Sequence, residues 1–395
     1  MSGARRATDV LSACRALDAS ALGAFFDLLI LEFSPNPVVI ERAADAYRTN
    51  PSQENLVRLQ AAVEPPRQEL FRRFNMAMDG ISLLVDMRRH LLPTLAAHPQ
   101  RVGIDVDLIH LFRSWFTRGF LVLRRIDWRT SALVLERLIH YESVHQIQGW
   151  DDLHRRLEAD RRCYAFFHPA LPDEPLIFIE VALTRGMTAK VQPLLDLRSP
   201  VLDPASADCA IFYSITNCQQ GLRGVSFGNF LIKQVAEDLG RAFPRLKTFA
   251  TLSPIPGFRD WLARASESPA PALSPKLAAL LETLDQAGSI DERSFGPELR
   301  TEISRLCAYY LLHAKRGKSP LDPVARFHLA NGARLQRLNW MGDTSQTGMS
   351  RSLGMTANYL YRLADVESNH EAYAKEHHIV ASYQLERLAK EATLG

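Results

Sequence analysis

Three places in the chain carry residues that could do chemistry: a glycine-rich stretch at 219–229, Ser253 at the end of an apolar run, and His328 within LDPVARFHLANG. Gly221, Gly224 and Gly228 would let backbone N–H groups approach an anion closely, and the helix behind them would turn its positive end toward it. The expected guest is a pyrophosphate. The spacing is neither GxGxxG nor GxxxxGK[ST], because Lys233 falls inside the following helix and no Ser or Thr comes after it. An ordinary strand-to-helix connection, whose glycines only turn the chain, accounts for the spacing equally well. Ser253 ends the strand-like run Thr248–Leu252, and ligands of α/β sheets gather at the carboxyl ends of strands. His328 could move a proton, although a lone histidine in an amphipathic helix is more often structural or solvated. Loop and serine point to one crevice.

The elements that must position these residues follow from hydrophobic spacing. Cys209–Ile215 is almost continuously apolar, as in a strand buried on both faces. From Asn229 the period changes: Leu231, Ile232, Val235, Ala236 and Leu239 share one side of a helix that Gly240 closes and Pro244 stops. Residues 1–113 read as helices only, over Ala21–Phe33, Val38–Tyr47, Gln53–Val63, Gln68–Leu92 and Val106–Phe116, with prolines between them. Arg67, Arg72, Arg73, Arg88 and Arg89 are expected on solvated faces. Near Gly119 the pattern shifts to strands alternating with helices: FLVLRRIDW, Ser131–Ile139, Trp150–Ala159, CYAFFHP and PLIFIEVALT. Glu180 interrupts the last of these; it could be an edge-facing or site-facing carboxylate, and strand alternation favours a solvated pleat position. After Ser253 the chain returns to helices at Phe258–Arg264, Pro275–Gln286 and Pro297–Lys315, with loops around 268–275 and 289–296. A last helix has Asp322 as N-cap and Pro323 at its first position, and Asn331-Gly332 ends or bends it. The pattern predicts an α+β protein: an all-helical bundle domain over 1–113, suited to packing on another copy, then a mixed α/β domain over 114–395 with helical additions.

Composition excludes several classes. The 395 residues are 47% hydrophobic and 23% charged, with a formal net charge of +3 from 47 basic and 44 acidic residues. No basic block interleaved with aromatics points to nucleic acid. The five cysteines are scattered, with neither a CxxC nor a Cys/His cluster, which reads as reduced cytosolic thiols with no zinc site. No apolar run reaches the roughly 18 residues of a membrane span, so a soluble protein is expected. The N-terminus has arginines and a serine, weak support for an organelle presequence, but meets Asp9 without an apolar signal core, and the C-terminal ATLG is not a peroxisomal tripeptide.

Longer motifs are more specific. AIFYSIT, QQGLRGVSFGNFLIKQV, LSPIPGF, DPVARFHLANGARLQRLNWMGD and GMTANYLY, in that order and preceded by FFHPALPDEPLIFIEVALT, together resemble the malonyl-CoA decarboxylase family. QQGLRG is also similar to the coenzyme A pyrophosphate loop of GCN5-related acetyltransferases. The resemblance covers about 120–365. It implies a helical oligomerisation domain joined to an acetyltransferase-like (GNAT-like) catalytic domain, and a homo-oligomer such as a tetramer. It further implies a cytoplasmic carboxy-lyase of fatty acid metabolism that converts malonyl-CoA to acetyl-CoA and carbon dioxide. Carried over residue by residue, the catalytic pair falls on Ser253 and His328. Coenzyme A binding falls on Gln220, Gly221, Arg223, Gly224, Val225, Ser226, Phe227, Gly228 and Asn229, with supporting roles on Ser214 and Tyr361. Some members have a glutamate where this chain has Ser226, so no carboxylate role carries over there. The family reaction needs no metal, pyridoxal phosphate or thiamine, because the thioester carbonyl accepts the electrons. A coenzyme A-dependent acyltransferase and a non-catalytic acyl-CoA sensor are the competing readings.

Overall fold

The computed structural model describes residues 3–225, 227, 231–264, 271–287 and 295–393. The chain divides into two compact units. The first comprises Met1–Val122, Phe166–Leu176 and Asn217–Gly228, and the second Leu123–Ala165, Ile177–Thr216 and Asn229–Gly395.

In the first unit the helices are α1 (Gly3–Arg15), α2 (Ala19–Leu31), α3 (Pro37–Thr49), α4 (Gln53–Val63), α5 (Pro66–Asn75), α6 (Gly80–Leu91) and α7 (Val102–Trp115). Short polar caps start three of them. Asp18 accepts from Ala21 N–H, Asn36 from Val38 N–H and Ser52 from Asn55 N–H, each satisfying a backbone donor that the first turn leaves free. The single helix expected over Gln68–Leu92 is two, because Asp79 takes a left-handed backbone (φ 60) between them. Two of the arginines expected in solvent are buried. Arg67 Nε donates to Asp107 Oδ2 at 2.6 Å, and Arg88 Nε to Asp105 Oδ1 at 2.7 Å. Arg88 Nη1 also donates to the carbonyls of Gly221 at 2.7 Å and Arg223 at 2.8 Å. A buried guanidinium survives because its donors are met by a carboxylate and carbonyls far away in sequence, which helical periodicity cannot register.

The main sheet is made of β1 (Val122–Ile126), β2 (Arg161–Phe167), β3 (Ile177–Thr184), β4 (Cys209–Asn217), β5 (Thr248–Thr251), β6 (Ser253–Pro254), β9 (Arg334–Asn339) and β10 (Thr356–Leu360), while β7 (Lys315–Arg316) and β8 (Ser319–Pro320) form a separate hairpin. Its order is β1-β2-β3-β4-β5-β10-β6, with β9 on β10. Around it lie α8 (Ala132–Tyr141), α9 (Trp150–Arg156), α10 (Gln192–Leu195), α11 (Leu231–Ala242), α12 (Phe258–Ala263), α13 (Pro275–Ala287), α14 (Pro297–His313), α15 (Pro323–Ala330), α16 (Gln346–Ser352), α17 (Val366–Glu376) and α18 (Tyr383–Ala392). The apolar stripe predicted for α11 is buried as a set, though the helix runs through Gly240 to Ala242. Ala182, Cys209, Ile211, Tyr213 and Ala250, from three strands, pack with Leu252 as one core on a face of the sheet.

Two expectations of the sequence are corrected here. The tail after Ser253 is not all helical, since it supplies β9 and β10. RLQRLN hides its strand because Arg334 and Arg337 break the apolar alternation, and Arg337 folds back onto the carbonyls of Met187 and Thr188 at 3.1 and 3.0 Å. Glu180 is not solvated: it is 1% exposed and accepts from Arg156 Nη1 at 2.8 Å. Every residue of β3 but the last is buried, so no pleat position faces water. Burial pushes the Glu180 carboxyl up to about 8, Arg156 opposing and Glu142 adding to the rise. All five cysteines are buried and free, and no described helix is long and apolar enough to cross a membrane.

Candidate active site

β5 runs parallel to β4 up to the pair Phe212 and Thr251, after which Leu252 N–H donates to the Phe212 carbonyl at 2.9 Å. On the other edge β10 runs antiparallel to 250–254, Leu360 opposite Ala250 and Ala357 opposite Ser253. Between those pairs the ladder is broken. Tyr359 N–H goes to the Thr251 hydroxyl at 3.1 Å, while the Thr251 carbonyl accepts from Asn358 Nδ2 at 2.5 Å. The register of β9 against β10 shifts at the same place, between Asn358 and Tyr359. Such irregularities re-aim side chains. Here they bring the Thr251 and Ser253 hydroxyls together, with Ser253 Oγ donating to Thr251 Oγ1 at 2.7 Å.

Ser253 Oγ is also 2.9 Å from His328 Nε2. His328 lies in the last turn of α15, which begins as predicted: Asp322 Oδ1 accepts from Ala325 N–H at 2.7 Å and Pro323 opens the first turn. The helix ends at Asn331, followed by Gly332 with φ +80, where a Cβ would stand 2.0 Å from the Val366 carbonyl oxygen. Only glycine suits that turn. The imidazole stacks on Tyr359, centroids 4.5 Å apart, and its Nδ1 is 2.8 Å from the Tyr361 hydroxyl. It is 3% exposed, and burial pushes its pKa down to about 3, so the ring is neutral at physiological pH. Burial also raises the Tyr361 phenol well above its usual value, so it stays protonated. A neutral imidazole between two hydroxyls can pass a proton through its two nitrogens without a lasting charge.

Ser214 follows Phe212 by two residues and so faces the same side of β4. It is not bonded to Ser253 or His328. Its Oγ donates to Glu142 Oε2 at 2.7 Å, and Glu142 Oε1 accepts from Val144 and His145 N–H at 2.7 and 2.8 Å. Sequence reasoning missed Glu142, the C-cap of α8, because a lone acid at a helix end carries no signal. It also missed Thr251 and Asn358, whose roles arise from the broken ladder.

The glycine loop belongs to the first unit. Gln220–Leu222 form a short 3-10 turn. Gln220, Arg223 and Gly224 are exposed, whereas Gly221 and Val225 are buried and Phe227 sets its ring edge-on to Phe116. Gly221 owes its lack of a side chain to packing, since a Cβ there would lie 1.9 Å from the Val85 carbonyl oxygen. The N–H groups of Leu222, Arg223 and Val225 are engaged with Gln219, Gln220 and Leu222 carbonyls. Ser226, Gly228 and Asn229 lie outside the described residues. Among the described residues no group of three or more His, Cys, Asp or Glu is placed to hold a metal ion.

A helical N-terminal region and a mixed sheet that carries a buried serine, hydrogen-bonded to a histidine of α15, make this a protein of the α+β class. The chain belongs to the malonyl-CoA decarboxylase family, whose members are carboxy-lyases. The family's C-terminal domain model matches residues 119–394 and its N-terminal domain model residues 33–116. The mitochondrial malonyl-CoA decarboxylase of Anser anser anser is 37% identical over 353 residues, covering 83% of this chain and 70% of that protein. Among solved structures, malonyl-CoA decarboxylase from Rhodopseudomonas palustris is 48% identical with a TM-score of 0.89, covering 96% of this chain and 93% of its own. The Agrobacterium vitis protein is 45% identical with a TM-score of 0.89, covering 98% and 95%.

Proposed function

We propose that this chain decarboxylates malonyl-CoA to acetyl-CoA and carbon dioxide, with Ser253 and His328 managing the proton. The observation that carries this reading, beside the family, is the buried chain from Tyr361 through neutral His328 to Ser253. When the bond to the carboxylate breaks, its electron pair enters the thioester as an enolate, so the substrate is its own electron sink and no cofactor need take part. Two tasks are left to the protein. It must stabilise charge on the thioester oxygen, for which one well-placed donor is typically worth about 10²–10³ in rate. It must also protonate the enolate carbon, worth roughly 10²–10⁴ for a positioned acid. Ser253, backed by His328, is the acid in reach of a strand-end ligand.

The pyrophosphate of coenzyme A is assigned to the loop at 220–229, with Arg223 and Gln220 exposed to meet it. Ser214 is a supporting hydroxyl whose orientation Glu142 holds. The helical N-terminal region is proposed to build a homo-oligomer, a tetramer in the simplest case, in the cytoplasm. The test is direct: purified protein with malonyl-CoA and no added metal or cofactor, followed by mass spectrometry for acetyl-CoA and carbon dioxide. Ser253→Ala and His328→Ala should each lower turnover about a hundredfold with KM nearly kept. Undiminished turnover in either variant removes that residue from the mechanism, and binding without turnover in the wild type rejects the decarboxylase.

A further inference from the structure

Thr251 is wholly buried, yet its hydroxyl touches both the catalytic serine and the backbone that holds the ring under His328. Its oxygen receives two donors, Ser253 Oγ–H at 2.7 Å and Tyr359 N–H at 3.1 Å. A serine hydroxyl has a single proton to give. Spent on Thr251, that proton leaves Ser253 Oγ as an acceptor toward His328, so the hydrogen between them sits on Nε2. The neutral ring then has its lone pair on Nδ1, where Tyr361 must donate. With the Ser253 proton on Thr251, each proton from Tyr361 to Ser253 has an acceptor in this one arrangement.

We propose that Thr251 is a positioning residue that locks His328 in the Nε2–H tautomer, so that three donors point their protons one way, from Tyr361 through His328 and Ser253 to Thr251 as the acceptor. This polarity is opposite to that of a serine nucleophile, whose histidine accepts the serine proton. It suits delivery of a proton to carbon. On carbon dioxide loss the enolate replaces Thr251 as the acceptor: the Ser253 O–H bond breaks as a C–H bond forms. The Nε2 proton moves to Ser253 Oγ, and the Tyr361 proton to Nδ1. A proton from solvent neutralises the phenolate and the ring returns from Nδ1–H to Nε2–H before the next turnover, so one proton is consumed for each carboxylate released as neutral carbon dioxide. A thioester enolate is far more basic than a phenolate, so the relay runs downhill.

The inference rests on the proposed decarboxylation and is tested by two separable readouts. Nitrogen-15 NMR of histidine-labelled protein, with His328 assigned among the 12 histidines by its loss in His328→Gln, should show a proton on Nε2 near neutral pH. Thr251→Val keeps the branched shape but not the acceptor; it should lower kcat about tenfold, the worth of one hydrogen bond, with KM unchanged and the tautomers mixed. Thr251→Ser should restore most of the rate. An Nδ1–H tautomer in the wild type overturns the proposal, as does full kcat in Thr251→Val or a Thr251→Ser as impaired as Thr251→Val. Should Thr251→Val not fold, the wild-type tautomer and Thr251→Ser decide. A wild type without turnover would reject the decarboxylase reading and leave the tautomer to be judged alone.

Discussion

The proton relay proposed for His328 works best if bulk acid cannot charge the ring, and His328 meets that condition. Its ring is enclosed by Phe327, Tyr359 and Tyr361, and burial alone holds its pKa near 3. The direction matters for the rate profile. With a pKa lowered from the usual 6.5 to about 3, His328 stays neutral as pH falls from 8 to 5, and its protonation should cost no activity in that range. The ratio of wild-type kcat to that of His328→Gln should therefore be flat from pH 8 to 5. A wild-type limb near 6.5 that vanishes in the variant would show a solvated histidine and contradict the buried geometry. In the proposed reaction the same enclosure keeps water from competing for the Ser253 proton.

At the scale of elements, the glycine loop and α6 act as one piece within the first unit. Arg88 holds the loop by two carbonyls and α7 by Asp105, and Gly221 lies against the α6 backbone at Val85. Removing one partner of a buried charge network leaves the others unpaired, which typically costs about 3–5 kcal/mol. Arg88→Met should lower stability by about that amount, read as a shift of the urea midpoint at unchanged slope. Gly221→Ala, forcing a methyl into the Val85 carbonyl, should do so as well. A midpoint unmoved in Arg88→Met would mean that the guanidinium is not buried as described. For β9 and β10 the lesson is different: the sheet edge beyond β5 is made by a segment about a hundred residues later, which aims Tyr359 and Tyr361 at His328.

Across the whole molecule, buried ionisable groups set the response to pH. Glu180 is the clearest case, with a carboxyl raised from 4.5 to about 8. A raised pKa means that the folded state binds the proton more tightly than the unfolded chain. The contribution is present in full below pH 4.5 and is lost as pH rises through about 8. Glu180→Gln, which cannot ionise, should gain on the wild type in Tm steadily from pH 4.5 to 8, whatever its offset at low pH. A difference in Tm that does not change over that range would place an ionised Glu180 in both states.

Local patterning in the sequence determined much of this protein. Periodic apolar residues announced the N-terminal helices, the buried strand β4 and the stripe of α11, because burial on one side of a helix or both faces of a strand leaves a period in the chain. Asp322, Pro323 and Gly332 marked the ends of α15, because caps and turns are chemistry between near neighbours. The ordered motifs pointed to the family and to Ser253 and His328 as residues to watch. Tertiary structure alone decided that these two meet, 75 positions apart in the chain, with Tyr361 on the far side of the ring. It also decided that Arg67, Arg88 and Glu180 are buried, that Gly221 serves packing, and that Glu142 and Thr251 orient serines. Each of those outcomes except the Thr251–Ser253 contact, which joins near neighbours, depends on a partner remote in sequence, and the cost of burying a charge or a hydroxyl is settled only where its partner arrives.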